Sequence, residues 1–139
     1  MTTAVQSAEA DRQNAFAAVP FTRLLGMRRE FSAQGRARFV LDARPDLENV
    51  IHAMHGGVVA TLLDVAMASA AVSKLDFAMT AVTLSMNSSF VRPGHGQLVA
   101  DGEVLAVDDG IATCRAQVAD AAGRLVAQAQ GAFRYLPHR

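Results

Sequence analysis

The chain has no tryptophan, one tyrosine and a single cysteine among its 139 residues. Alone, Cys114 cannot close an internal disulfide, so nothing in the sequence calls for an oxidising compartment, and a reducing cytoplasm is the expected setting. An excess of either charge is missing too: thirteen basic and thirteen acidic side chains cancel. Nowhere do Lys or Arg gather into the cluster that nucleic acid or an anionic membrane would attract, and neither partner is expected. Met1 to Gln13 lacks the apolar run of a signal peptide. The longest apolar stretch, Val58 to Val72, is interrupted by Asp64 and falls short of the ~20 residues that span a bilayer, so it reads as a core helix.

Several chemistries are excluded by missing patterns. His52, His55 and His95 do not form a paired zinc spacing such as H-E-x-x-H, so no metal is expected. There is no G-x-S-x-G nucleophile elbow, and nothing local marks Cys114 as an activated thiol. Gly94-His95-Gly96 leads into a strand pattern instead of a helix, which removes the context of a dinucleotide loop. No cofactor is expected.

What remains is a chain with 51% apolar residues, of a size that forms one domain over 1–139, with 1–19 as an N-terminal helix or arm ended by Pro20. From Gly35 the residues Ala37, Phe39, Leu41 and Ala43 alternate with polar ones, predicting a half-buried strand. Arg44 to Val50 reads as a surface loop. Val58 to Lys74, after Gly56 and Gly57, lacks proline and is too long an apolar run for one strand, predicting the central helix. Four strand patterns follow: Thr80 to Val91, Gln97 to Val107, Ile111 to Ala119 and Arg124 to Leu136. The turn-rich segments between them imply antiparallel neighbours. In the last three, one parity set is small (Ala100, Gly102; Ala112, Cys114, Ala116; Ala127, Ala129, Gly131). Such a face leaves a trough that an Ala-rich helix can fill. Thr83, Ser85, Asn87 and Ser89 share one parity in the strand after the helix.

The chemistry concentrates in Asn49-Val-Ile-His-Ala-Met-His55-Gly56-Gly57 and in Asp64. Two glycines at a helix entrance allow close approach to first-turn N–H groups that have no intrahelical acceptor. With the helix dipole behind them, those groups can stabilise a carbonyl oxygen gaining negative charge. Asp64 is the only charge between Val58 and Ser73, and an ionised carboxylate left unpaired among apolar side chains costs several kcal/mol. Gly56 and Asp64 are about two turns, roughly 12 Å, apart along a helix. One chain cannot easily bring both to one substrate atom, whereas a two-fold dimer with paired helices can. A lone carboxylate suits a thioester because its thiolate leaving group, with a thiol pKa of about 8.5 or somewhat higher, departs without a dedicated general acid.

Asn49, the His55-Gly56-Gly57 triplet and Asp64, followed by Val82 to Pro93, resemble the phenylacetate-pathway type of acyl-CoA thioesterase in the hotdog-fold superfamily. The likeness runs from about Phe21 to Tyr135. It implies an α+β hotdog fold, a five- or six-stranded antiparallel sheet around one long helix, assembled as a homodimer or a dimer of dimers. It implies Asp64 as nucleophile or general base and Gly56 as the oxyanion amide. Asn49 would orient the attacking water or the thioester, and His55 would hold the turn or polarise the same carbonyl. Thr83 would face the acid, Gly57 would stand with Gly56 at the substrate, and Arg92 would lie near the CoA entrance. The substrate implied is an acyl-CoA, aromatic such as a phenylacetyl type, or short or medium in chain length. The shape of the acyl pocket would depend on Met54, Leu63, Met67, Leu84 and Met86. Two other functions stay open, an acyl-thioester dehydratase or hydratase leaning on His55, and a non-catalytic acyl-CoA binding module.

Overall fold

The computed structural model describes residues 18–139; the helix or arm expected over 1–19 lies almost wholly outside them. Pro20, expected to end that segment, opens a short helix instead, α1 (Pro20–Leu25). Its fixed φ and missing N–H suit the first helical position. The long helix α2 (Gly56–Lys74) and six strands make up the rest. The strands are β1 (Arg28–Ala33), β2 (Arg36–Leu41), β3 (Thr80–Phe90), β4 (Leu98–Asp108), β5 (Ile111–Asp120) and β6 (Leu125–Leu136). They form one sheet in the order β1-β2-β4-β5-β6-β3, antiparallel at every pairing. One sheet around one helix is the α+β architecture that the resemblance implies, with six strands.

Strand β1 has no counterpart among the expected elements. Its sequence, Arg28-Arg-Glu-Phe-Ser-Ala33, does not alternate, and its exposure pattern is mostly open. The turn after it carries the signal: Gln34 and Gly35 both have positive φ, 51° and 80°, the two-residue hairpin geometry that matches strand twist. β2 ends at Leu41, and Ala43, expected inside, is exposed. The loop expected over Arg44 to Val50 contains one 3-10 turn, Pro45–Leu47, whose Leu47 is buried.

The small parity set lies where expected. Ala37, Gly102, Ala116 and Ala129 stand opposite one another across four strands, and α2 settles into the trough they leave. Leu62, Leu63, Ala66 and Met67 are fully buried against it; each large apolar side chain contributes about 1.5–3 kcal/mol by leaving water. By length and composition α2 could cross a membrane, yet 61% of its apolar window is buried inside this fold. Its serines are polar joints within that packing. Ser69 donates to the Ser32 hydroxyl at 2.8 Å, and Gly35 N–H donates to Ser73 at 3.0 Å, tying the β1–β2 hairpin to the helix.

Strand β3 forms one edge of the sheet, beside β6, and its alternation breaks once. Thr83 pairs with Phe133 and Ser85 with Ala132, so Leu84 is an extra residue with no partner, a β-bulge. Thr83 therefore shares the helix-facing side with buried Phe133, while Ser85, Asn87 and Ser89 oppose Ala132, Gln130 and Gln128 on the outer side. The single parity read from the sequence is split by that insertion. Beyond the bulge the helix-facing residues are Met86, Ser88 and Phe90, opposite Gly131, Ala129 and Ala127.

Candidate active site

The entrance to α2 is built by the chain before it. His55 is the N-cap residue, so Gly56 and Gly57 belong to the first turn and not to the loop. Backbone bonds from His55 N–H to Leu47 O and from Met54 N–H to Gly94 O, both 2.8 Å, fix that entry. The His55 side chain turns back, and its Nδ1 accepts the Gly57 N–H at 2.9 Å. A Cβ on Gly57 would stand 3.1 Å from that nitrogen, so the ring would have to give by a few tenths of an ångström to admit one. An amide can only donate, so Nδ1 is the unprotonated nitrogen and neutral His55 carries its proton on Nε2. The two adjacent amides thus separate. Gly57 N–H is spent on the cap, whereas Gly56 N–H has no acceptor among the described residues.

Asn49 organises the loop just upstream. Its Oδ1 accepts N–H groups from Ile51 at 3.0 Å and Ala53 at 3.1 Å, and its own N–H donates to Ala53 O at 2.8 Å. His52 is held at φ 60° inside this loop. The Asn49 carbonyl is thereby committed to the backbone; its amide NH2 remains for other contacts.

Asp64 lies two turns into α2, partly exposed, on the side that faces β3. Thr83 Oγ1 donates to its Oδ1 at 2.6 Å, a charge-assisted bond of the short kind. The structure brings this pair together within one chain. It keeps Gly56 and Asp64 apart, since α2 is unbroken between them and eight residues of helix span roughly 12 Å. Arg92 is exposed and donates to Leu125 O at 3.3 Å.

Of the side chains expected to shape an acyl pocket, Met54, Leu63 and Met67 are buried in the core and Leu84 is the exposed bulge residue. Met86 alone is half-buried on the helix-facing side of β3. The sequence reading missed Phe90, whose Cε1 lies 3.9 Å from where a Cβ on Gly56 would stand. Its parity matched Val82 and Leu84, and only knowledge of the bulge would have set it on the helix side. Cys114 is fully buried, and burial pushes its thiol up to about 12, so it is no nucleophile at neutral pH. A cavity of about 760 Å³ lined by Arg36, Arg38, Asp101, Glu103 and Arg115 among others contains none of the candidate site residues Asn49, His55, Gly56, Gly57, Asp64, Thr83 and Arg92.

Comparison with known proteins adds family to geometry. The model of the Thioesterase superfamily matches residues 52–127, from the α2 entrance to β6. A Halobacterium salinarum protein with a provisional esterase assignment is 36% identical over 89 residues, 58% of this chain and 59% of that protein. The chain thus spans well under two thirds of that curated relative. Among solved structures, a conserved protein of Pseudomonas aeruginosa superposes with a TM-score of 0.84 at 28% identity, covering 88% of this chain and 98% of that one. The E. coli protein PaaI, from the phenylacetic acid degradation operon, gives 0.80 at 23% identity over 96% and 93%. That likeness is one of fold.

Proposed function

The chain belongs to the Thioesterase superfamily, and from that premise we propose that it hydrolyses an acyl-CoA thioester to the free acid and CoA at a site shared by two subunits. One observation carries the reading: a single carboxylate, Asp64, held by Thr83 on a helix with no other charge before Lys74 and whose first amide, Gly56 N–H, has no acceptor among the described residues. Asp64 acts as general base. With Oδ1 engaged by Thr83, Oδ2 takes a proton from water as the water oxygen attacks the thioester carbon. The carbonyl oxygen becomes an oxyanion at the Gly56 N–H of the neighbouring subunit. The C–S bond then breaks and the thiolate leaves as a weak base, with no dedicated acid. The roughly 12 Å between Gly56 and Asp64 is why two subunits are needed. Asn49 holds the loop that sets the Gly56 amide and has its NH2 free for the water or the ester. Arg92, exposed beyond the end of β3, pairs with a CoA phosphate in this reading. A reducing cytoplasm suits a chain whose one thiol is free and buried.

His55 argues against the dehydratase alternative. Its Nδ1 is occupied by the Gly57 N–H, so the neutral ring presents only an N–H and cannot accept a proton from a substrate carbon. A mere acyl-CoA binder would have no use for a carboxylate beside the ester.

Steady-state hydrolysis of an acyl-CoA panel by the wild type and by Asp64→Asn tests the proposal. Loss of a general base lowers kcat by about 100- to 10,000-fold with the dimer intact on size exclusion. Undiminished turnover by Asp64→Asn, or an active wild-type monomer, would sink it. In a single turnover in H2¹⁸O, label appearing in the Asp64 carboxylate would mark a nucleophile whose mixed anhydride is opened by water at the Asp64 carbon.

A further inference from the structure

Two rows of polar side chains cross the side of the sheet turned away from α2. Arg36, Glu103 and Arg115 stand opposite one another on β2, β4 and β5. Beside them Arg38, Asp101, Gln117 and Gln128 continue from β2 to β6. These positions alternate with Ala37, Gly102, Ala116 and Ala129, which are buried under the helix. Both rows line the cavity of about 760 Å³, a volume in the range of small-molecule sites.

The two ends of the cavity differ in what they leave unsatisfied. At one end Arg38 is committed. Asp101 accepts from its Nε at 2.8 Å and from its Nη2 at 3.4 Å, Glu30 stands 3.9 Å from Nη1, and the guanidinium carbon lies over the Phe31 ring at 5.8 Å. At the other end two guanidinium groups share one carboxylate. Glu103 lies 3.5 Å from Arg36 Nη2 and accepts from Arg115 Nε. The terminal nitrogens of Arg115 have no acceptor among the described residues. Two cations against one anion, with part of their donor forks unspent, call for phosphate or carboxylate oxygens. Arg38 and Arg115 are two strand spacings apart, about 10 Å, with Asp101 and Gln117 completing the row that Arg38 begins.

From this arrangement we infer a nucleotide-binding site, with phosphates on Arg36 and Arg115 and the base flat against Arg38. Guanidinium planes are surfaces on which bases stack, and Phe31 backs this one from the other side. Gln117 and Gln128 offer a donor and an acceptor each, the pair that an adenine edge takes. Adenine nucleotides are therefore the class that fits. Glu103 builds the site by holding the two guanidinium groups together, yet it also competes with phosphate for their N–H groups and repels it. The site lies on the opposite side of the sheet from Asp64 and is independent of the hydrolysis proposed above.

Calorimetric titration of the full chain with ADP, pyrophosphate and adenosine tests the site, with melting temperature recorded for each variant. ADP is expected to bind more tightly than either fragment. Arg115→Ala should weaken ADP about tenfold to a hundredfold, as loss of a charged hydrogen bond does, whereas Glu103→Gln should tighten it. Coenzyme A carries the same groups at its nucleotide end. Displacement of ADP by CoA identifies that end as the occupant and retention of ADP identifies a free nucleotide; either upholds the site. Absence of ADP binding below the millimolar range overturns it. So does equal affinity in the wild type, Arg115→Ala and Glu103→Gln, or binding that Arg92→Ala abolishes and Arg115→Ala spares.

Discussion

Gly102 on β4 lies directly under the Ala66 carbonyl of α2, so close that a Cβ there would stand 2.4 Å from the oxygen and 2.5 Å from the carbon. Both sides of the contact are backbone, and neither can rotate away. Gly102→Ala must therefore lift the helix or bend the strand, costing about 1–3 kcal/mol as overpacking does. Thermal unfolding of the variant reads this directly, with a lower midpoint expected. The substitution leaves every reactive group in place, so residual activity per folded molecule reports how far the helix moved.

Thr83 gives a second expectation. Thr83→Val keeps shape and removes the bond to Asp64, and a hydrogen bond to a charged group contributes about 1.5–3 kcal/mol. A loss of about tenfold to a hundredfold in kcat is expected, with Thr83→Ser near wild type. Equal activity in the Val and Ser variants would show that the hydroxyl does not position the carboxylate.

His55 should separate stability from activity. Its Nδ1 caps α2 through Gly57, and loss of an N-cap acceptor costs about 1 kcal/mol. His55→Ala should lower the melting temperature; His55→Asn, a strong capping residue, should restore it. If Asn also restores kcat, the ring serves only the turn. If it restores stability alone, the Nε2 proton contributes to the reaction.

Acid should weaken the fold through three carboxylates. The Arg28 bond, then that of Gln97, lowers the pKa of Asp42, and Arg44 lowers that of Asp46. Asp120 is lowered by the Arg124 N–H first, then by the Arg124 side chain and the Ala122 N–H. Each folded-state value is below its unfolded one, so the unfolded chain binds more protons as pH falls. This contribution is full above the ordinary Asp value of about 3.9 and drains below it. Chemical denaturation from pH 7 to 3 should show a decline that is shallower in Asp120→Asn.

Much of the fold is written in local pattern. The α2 run, the small-residue faces of β4, β5 and β6 and the turns between them each obey one period, and the structure places them accordingly. Two features escape because they are not periodic. β1 is an edge strand, largely exposed, so no buried face imposes alternation on it. The bulge at Leu84 depends on pairing with β6, and inserting one residue reverses every assignment beyond it. At the site, Asp64 stood out because a charge on an apolar helix demands a reason, and Thr83 is the partner the structure supplies. That Gly57 and Asn49 carry backbone-ordering bonds could not be read from spacing, which is the same for a residue that touches substrate and one that shapes the loop.

The bulge makes the length of β3 as consequential as its composition. Thr83 and Phe90 face the same way although an odd number of steps separates them, and only the spare residue at Leu84 reconciles the two. Removing that one residue would take away no reactive group and no core side chain, yet it would swing either Thr83 or Phe90 to the far side of the sheet. Substitution scans would pass over such a change; only a frame of one residue in a single strand keeps the carboxylate's partner and the Phe90 ring on the same side.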